Sequence, residues 1–403
     1  MRSCTSTRRW KRAPILVVLS VAAPLLLAAG TAGAAPAPAS VPDASKKPPK
    51  EFRPVLHVRA DAERSGAFHF PPMRVTPHET WRAQPGPEIL GSPLLSSDGV
   101  LYTGGSDGSI YAFDARTGTK LWSGGDFEVI ESALALAGDV IIGGGQNKRV
   151  RALNRRDGSL VWSFDATAFV FTPPLIVGDV VYIATYDQLH ALDLRTGTQR
   201  WAVDTGDQPA FVGAPAFAQG AIYVSVGPRL LAFDSATGKE RWRVQAPTQF
   251  WSLAVGQKSV YVGNSDGYFH AYDLATGQEH WRFKSAFPAP DEIWSAPAVA
   301  GDAVYVGSRD QFVYAIDARA GSKVWAFKTA GDSAGDPVFS NGMIYVSDSN
   351  HLLPPGLRRL HSLDAETGAE AWRYEVQSTL LTNPAPERGA LYVTITGQVI
   401  ALE

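Results

Sequence analysis

Carboxylates are the most numerous candidates for chemistry in this 403-residue chain. Asp107, Asp126, Glu128, Glu131, Asp207, Asp266, Asp291, Glu292, Asp332 and Asp336 fall in turn-like stretches. Calcium would need several such oxygens to converge on one point. Their scatter along the chain marks no ligand cluster, so no metal site is expected. His190, His270 and His361 occupy comparable places in successive segments, which suits packing better than ligation. No spacing among the Ser, His and Asp residues singles out a nucleophilic triad or a carboxylate pair, and no catalytic residue is assigned. The only cysteine, Cys4, lies in the N-terminal stretch, so the body of the chain has no thiol or disulfide chemistry. Aromatic side chains are the remaining candidates: Phe127, Phe169, Phe171, Phe211, Phe250, Trp251, Phe287 and Trp294 sit in irregular connections. They either pack inward or form a binding rim, since exposed aromatics are enriched in interaction hot spots.

The elements that carry these residues are repeats. Tryptophan recurs at Trp81, Trp122, Trp162, Trp201, Trp242, Trp281, Trp325 and Trp372, at intervals of 39 to 47 residues. A period near forty indicates repeated supersecondary units. Each unit opens on a small residue or proline (Ser92-Pro93, Thr172-Pro173-Pro174, Ala296-Pro297) and turns at a Gly-Asp pair such as Gly178-Asp179. Two β-rich runs follow, for example 180–185 and 189–193, then a Thr-Gly turn and a strand holding the tryptophan. Four short strands cannot bury both of their faces alone, but radial packing about an axis buries them. An all-β, eight-bladed propeller of four-stranded antiparallel blades follows. The final strand (399–403) ends an eighth blade that lacks its tryptophan strand, and Glu79-Thr80-Trp81-Arg82 is such a strand with no blade before it. The N-terminal strand is therefore expected to join the C-terminal blade and close the ring.

The segment Ala112-Phe113-Asp114-Ala115-Arg116-Thr117-Gly118-Thr119-Lys120-Leu121-Trp122 resembles the tryptophan-docking motif of PQQ-type (pyrroloquinoline quinone) propellers. It returns around Asp193, Asp234, Asp273 and Asp317, with variants at Asn154 to Trp162 and Ser362 to Trp372. The resemblance extends over residues 77–403. It is to the quinoprotein alcohol dehydrogenase-like superfamily and to the propeller lipoprotein of the barrel-assembly machinery. It implies that all eight tryptophans are structural and staple neighbouring blades. The motif glycine allows the positive φ of a tight turn, and the aspartate bonds to amides in its own turn.

The resemblance leaves three functional expectations open. The first is an exported, non-catalytic binding or scaffolding propeller that meets a protein or cell-envelope ligand through its loop face. The second is a PQQ-dependent alcohol or sugar dehydrogenase, which would hold PQQ and Ca2+ at the axis; the body of this chain lacks the adjacent-cysteine pair of the alcohol type. The third is a polysaccharide-binding propeller. No cofactor is expected under the first reading. The longer connections at 202–213, 285–294 and 348–358 are candidate specificity loops.

The N-terminus reads as a targeting segment over 1–34. Arg2, Arg8, Arg9, Lys11 and Arg12 precede an apolar run from Ile15 to Ala29, and Ala32-Gly33-Ala34 offers a cleavage site. Arg8-Arg9 adds the twin-arginine route to the general secretory one. The run is short for a membrane span, so membrane attachment requires an uncleaved signal. Residues 35–76 read as an Ala/Pro-rich spacer and lead-in. Lysine plus arginine (37) nearly balances aspartate plus glutamate (39), and basic residues do not cluster past the N-terminus, which excludes general nucleic-acid binding. A secreted or envelope-located monomer is expected.

Overall fold

The computed structural model describes residues 55–57 and 59–403, apart from 85, 87–88, 90, 131, 207–210, 286–291, 330–332, 350–355, 379–380 and 388. The expected targeting segment (1–34) lies outside the described residues, as does the part of the 35–76 stretch before residue 55. Eight sheets form the ring, each built on four antiparallel strands in chain order from the axis outward. Blade 1 comprises Leu94–Leu95, Val100–Gly104, Ile110–Asp114 and Lys120–Gly124. Blades 2 to 7 follow the same plan, with inner strands Ala135–Ala137, Leu175–Val177, Ala216–Ala218, Phe250–Val255, Ala298–Ala300 and Val338–Ser340. In blade 8, Glu79–Ala83 pairs antiparallel with Gln398–Leu402, outside Ala390–Ile395 and Ala385–Glu387. The ring closes as the sequence predicts.

Burial explains the run of residue types. The two middle strands are covered on both faces by neighbouring blades, so they read as unbroken apolar stretches, such as Val180–Ala184 and Ala221–Val226. The outer strands alternate: Lys323–Lys328 buries Trp325 between exposed neighbours. In that strand only one face meets another blade.

Each indole reaches into the following blade. Trp242 donates from Nε1 to the Leu274 carbonyl at 2.9 Å, and Trp81, Trp122, Trp162, Trp281 and Trp325 make the equivalent bond to Ala115, Arg155, Leu194, Ala318 and Ala365. Four of these carbonyls also accept a tyrosine hydroxyl from the indole's own blade: Tyr102 on Arg155, Tyr223 on Leu274, Tyr261 on Ala318 and Tyr305 on Ala365. One oxygen has two lone pairs and satisfies both donors. Gly277 lies under the Trp242 ring at φ +70°, where a Cβ would stand 2.7 Å from Cε3. Asp273 Oδ1 meanwhile accepts from the amides of Ala275 and Thr276 and from the Thr276 hydroxyl.

Blade 8 has no turn of its own to receive Trp372. Its Nε1 instead donates to the Met73 carbonyl at 2.9 Å, and the Tyr345 hydroxyl bonds to the Met73 amide. The lead-in therefore supplies both the missing turn and the missing strand.

Candidate functional site

Every blade presents a short inner strand to the axis, and several begin at a proline whose carbonyl has no strand partner on that side. Into this channel runs the lead-in. Val55–His57 pairs antiparallel with Ala135–Ala137 of blade 2, so it travels toward the face carrying the connections between blades. It turns through residues 59–66. Ala67–Phe68 then returns in parallel with Phe339 and Ser340 of blade 7.

Between those pairings the turn meets successive blades nearly one residue at a time. Phe217 of blade 4 donates its amide to Ala62, Val255 of blade 5 to Glu63, Val299 of blade 6 to Ser65, and Phe339 of blade 7 to Gly66. Two guanidiniums take the proline carbonyls. Arg64, fully buried, donates to Pro173 (3.0 Å), Pro174 (2.7 Å) and Pro215 (3.2 Å). Arg59 donates to Pro297 and Pro337 and lies 3.6 Å from the Asp336 carboxylate. Asp336 is fixed in turn by the Ala296 amide and by the Asn383 side chain at 2.9 Å.

Burial dominates the electrostatics here. It pushes the Arg64 pKa down to about 9, with the neighbouring Arg59 charge acting in the same direction, which leaves Arg64 cationic at neutral pH. Burial likewise lowers Arg59 and raises Asp61, which Ser65 opposes by donating its amide and hydroxyl to the Asp61 carboxylate. Glu63 is also raised by burial. The sequence reading missed Arg59, Asp61, Arg64 and Ser65. The available signal was compositional: prolines stop between Pro54 and Pro71, and a mixed charged and apolar stretch replaces them.

The rim candidates divide by exposure. Phe127 and Phe250 are fully buried, the first beneath the Arg151 guanidinium and the second edge-on to His270. Phe169 (45% exposed) and Phe171 (49%) form an edge-to-face pair 5.7 Å apart, with the Lys148 ammonium over Phe169. Phe211 and Trp251, both half-buried, pack edge-on at 4.8 Å. Trp294 is 39% exposed with the Arg309 guanidinium over its ring. Phe287 lies outside the described residues, as do Glu131, Asp207, Asp291 and Asp332.

The remaining acids take local partners. Asp107 accepts from Tyr111 and Ser109, Asp126 pairs with Arg151 at 2.9 Å, Asp266 accepts from the Tyr268 amide, and Glu292 pairs with Arg309. Glu128 sits at φ 67° in its connection. Among the described residues, no three His, Cys, Asp or Glu side chains gather where a metal could be held. The three repeat histidines are buried, and each bonds through Nδ1 to a residue on the adjacent outer strand: His190 to Gln199, His270 to Glu279, His361 to Glu370.

Comparison with known proteins places this geometry. The PQQ_2 family model, described as outer membrane protein assembly factor BamB, matches residues 75–162, 106–214, 187–308, 265–354 and 309–403. BamB from Moraxella catarrhalis superposes with a TM-score of 0.66 at 20% identity, over 81% of this chain and 99% of that one. Quinohemoprotein alcohol dehydrogenase ADHIIG from Pseudomonas putida superposes with a TM-score of 0.69 at 13% identity, over 86% of this chain and 79% of that one. At such identities the likeness is one of fold. A 57-residue stretch is 44% identical to lupanine 17-hydroxylase [cytochrome c] of a Pseudomonas species, covering 14% of this chain and 8% of the hydroxylase.

Proposed function

This chain belongs to the PQQ-repeat family of the outer membrane protein assembly factor BamB, and from that premise we propose that it is an exported, non-catalytic scaffold of the cell envelope. Its partner is a protein that meets the face carrying the connections between blades. The observation that carries the reading is the division of roles between axis and rim. Residues 59–66 fill the axis where the blade prolines converge, while Phe169, Phe171 and Trp294 stay exposed on connections around it. Rigid aromatics beside cationic side chains are the residue types that dominate protein interfaces.

The axial lining supports this reading over a quinone dehydrogenase. PQQ with Ca2+ would need a flat slot and converging oxygen ligands on the axis. The two guanidiniums buried there repel a dication, and the Nη2 groups of both already donate to proline carbonyls. The chain's own residues therefore do not fit that group. Export is supported by the cationic and apolar order of residues 2–29, and among the described residues no helix is long and apolar enough to cross a membrane.

The test is a photo-crosslinking residue placed in the native cell at positions 169, 171 and 294, and separately at 301 on the opposite face. Adducts with one discrete envelope protein from the first three positions alone support the scaffold. Calorimetric titration with PQQ and Ca2+ is the counter-test: saturation near one equivalent, with dye reduction by an alcohol or sugar, would overturn it.

A further inference from the structure

Residues 66–70 of the lead-in are held along the inner strand of blade 7 and the turn that ends it. The Phe339 amide donates to Gly66, Ala67 and Phe68 pair in parallel with Phe339 and Ser340, and the Phe70 carbonyl takes two donors at 2.9 Å. One donor is the buried Ser340 hydroxyl and the other is the side-chain amide of exposed Asn341. Three residues further on, Met73 receives Trp372 and Tyr345. The clamp on Phe70 thus stands between the axial insert and the seam of the ring.

Asn341 and Gly342 are the two residues of that turn, between the paired Ser340 and Met343. Their φ angles of 40° and 88° are both left-handed, as a hairpin turn of the I′ kind requires. The chain's other five asparagines precede Lys148, Arg155, Ser265, His351 and Pro384, so Asn-Gly occurs here alone. Glycine is the follower that leaves its own nitrogen open to the asparagine side chain, because no Cβ stands in the way. The Gly342 amide has no acceptor among the described residues. We infer that Asn341 is a deamidation site, and that the clamp on Phe70 governs when it reacts and is weakened by the product.

The Gly342 nitrogen gives its proton to solvent base and bonds to Asn341 Cγ. The Cγ–Nδ2 bond breaks, and ammonia leaves with a proton from water. A second step adds water across either carbonyl of the five-membered imide, giving aspartate or isoaspartate at 341. The sum is amide plus water to carboxylic acid plus ammonia, with no change of oxidation state. The imide ring contains the Cα–C bond of residue 341 and fixes its torsion away from the left-handed turn, so the turn must open first. Opening carries Asn341 off Phe70, and the shut clamp therefore holds the reaction back. An aspartate at 341 cannot donate to Phe70 and sets a negative charge against its carbonyl, while isoaspartate lengthens the turn by a backbone atom. Arg74, exposed beside Gly342, recovers little as a surface ion pair. The device runs one way: the seated lead-in preserves the residue that seats it, and each excursion risks losing it. It does not depend on the partner proposed above.

The experiment incubates the full-length chain in mildly alkaline buffer and follows the mass gain at each asparagine by digestion and mass spectrometry. Asn341 should convert first. Its conversion should be about tenfold or more slower in the folded chain than in the same chain unfolded in urea, because only the open fraction reacts. Ser340→Ala removes one of the two donors to Phe70 and should speed the folded-state reaction roughly fivefold, the worth of one neutral hydrogen bond. Asn341→Asp stands in for the product and Asn341→Gly for loss of the donor alone, both compatible with positive φ. Hydrogen exchange over residues 66–70 should be faster in Asn341→Asp than in Asn341→Gly, and faster in either than in the parent. Conversion of another asparagine ahead of Asn341 overturns the proposal, as do equal rates in the folded and unfolded chain, no acceleration in Ser340→Ala, or parental exchange in Asn341→Asp.

Discussion

Arg64→Met is the substitution that most directly tests the role of the channel insert. The side chain is fully buried and donates to three proline carbonyls from two blades, at 2.7, 3.0 and 3.2 Å. Hydrogen bonds from a charged donor contribute about 1.5–3 kcal/mol each, so roughly 5–9 kcal/mol of interaction disappears and three acceptors lose their partner. Against that, methionine spares the desolvation of a guanidinium, itself worth several kcal/mol. The net destabilisation should be about 2–4 kcal/mol. Unfolding entropy of about 2.1 cal/mol/K per residue gives roughly 0.7 kcal/mol/K for a ring of this size, so the melting temperature should fall by about 3–6 °C. Thermal unfolding followed by circular dichroism reads this, with the exposed Arg74→Met as a control that should not move. Arg64→Lys should fall between the two, because an ammonium keeps the charge but cannot fork across carbonyls of two blades. If Arg64→Met melts within a degree of the parent, the guanidinium is not holding the blades, and the reasoning about the axis is wrong.

Other consequences follow from the blade interfaces. Gly277→Ala combines positive φ with a Cβ 2.7 Å from the Trp242 ring, whereas Gly301→Ala has positive φ and open space. Equilibrium urea unfolding should show the first costing about 2 kcal/mol more than the second, since strain alone accounts for roughly 1–2 kcal/mol. Removing residues 399–403 deletes four fully buried side chains and the partner of the closing strand, and should leave an expanded, protease-sensitive chain by small-angle scattering. The Arg155 side chain, by hydrogen bonding, holds the Asp98 carboxyl at about 2, below its ordinary 3.8. That contribution is present above pH 3.8 and is lost as pH falls toward 2, so Asp98→Asn should flatten the acid limb of the melting-temperature profile in that window.

The ring was legible because its determinants are local and repeat. A tryptophan, a turn glycine and an aspartate at fixed offsets return in blade after blade, and even the split eighth blade follows from a surplus strand at one end and a missing one at the other. The tyrosine that hydrogen-bonds into the following blade beside the indole was also within reach: Tyr102, Tyr182, Tyr223, Tyr261 and Tyr305 stand 19 or 20 residues before their tryptophans. The rim was not legible. Phe127 and Phe169 fall in comparable connections, yet the first is fully buried and the second is half exposed. What decides is the neighbouring blade's loop, and that loop does not repeat. The insert was least legible of all. It meets blades 4, 5 and 6 through one backbone group each, so it needs no side-chain period there, and its two arginines look like any pair of surface cations until the channel surrounds them.

A propeller with short inner strands has a problem at its centre that its periphery does not share. Blade-to-blade packing buries the broad faces, but the inner edges and the proline carbonyls converge on a space too wide to close by themselves. Here a single stretch, residues 59–83, addresses the centre and the seam together. Its first part caps carbonyls and inner strands across blades 3 to 7, Met73 receives the one indole that has no turn to rest on, and Glu79–Ala83 completes the last sheet. Because these contacts lie on one continuous segment, pulling the insert from the axis also strains the seam. The axis of this ring therefore behaves as part of its closure, while the exposed aromatics on the connections between blades take no part in it.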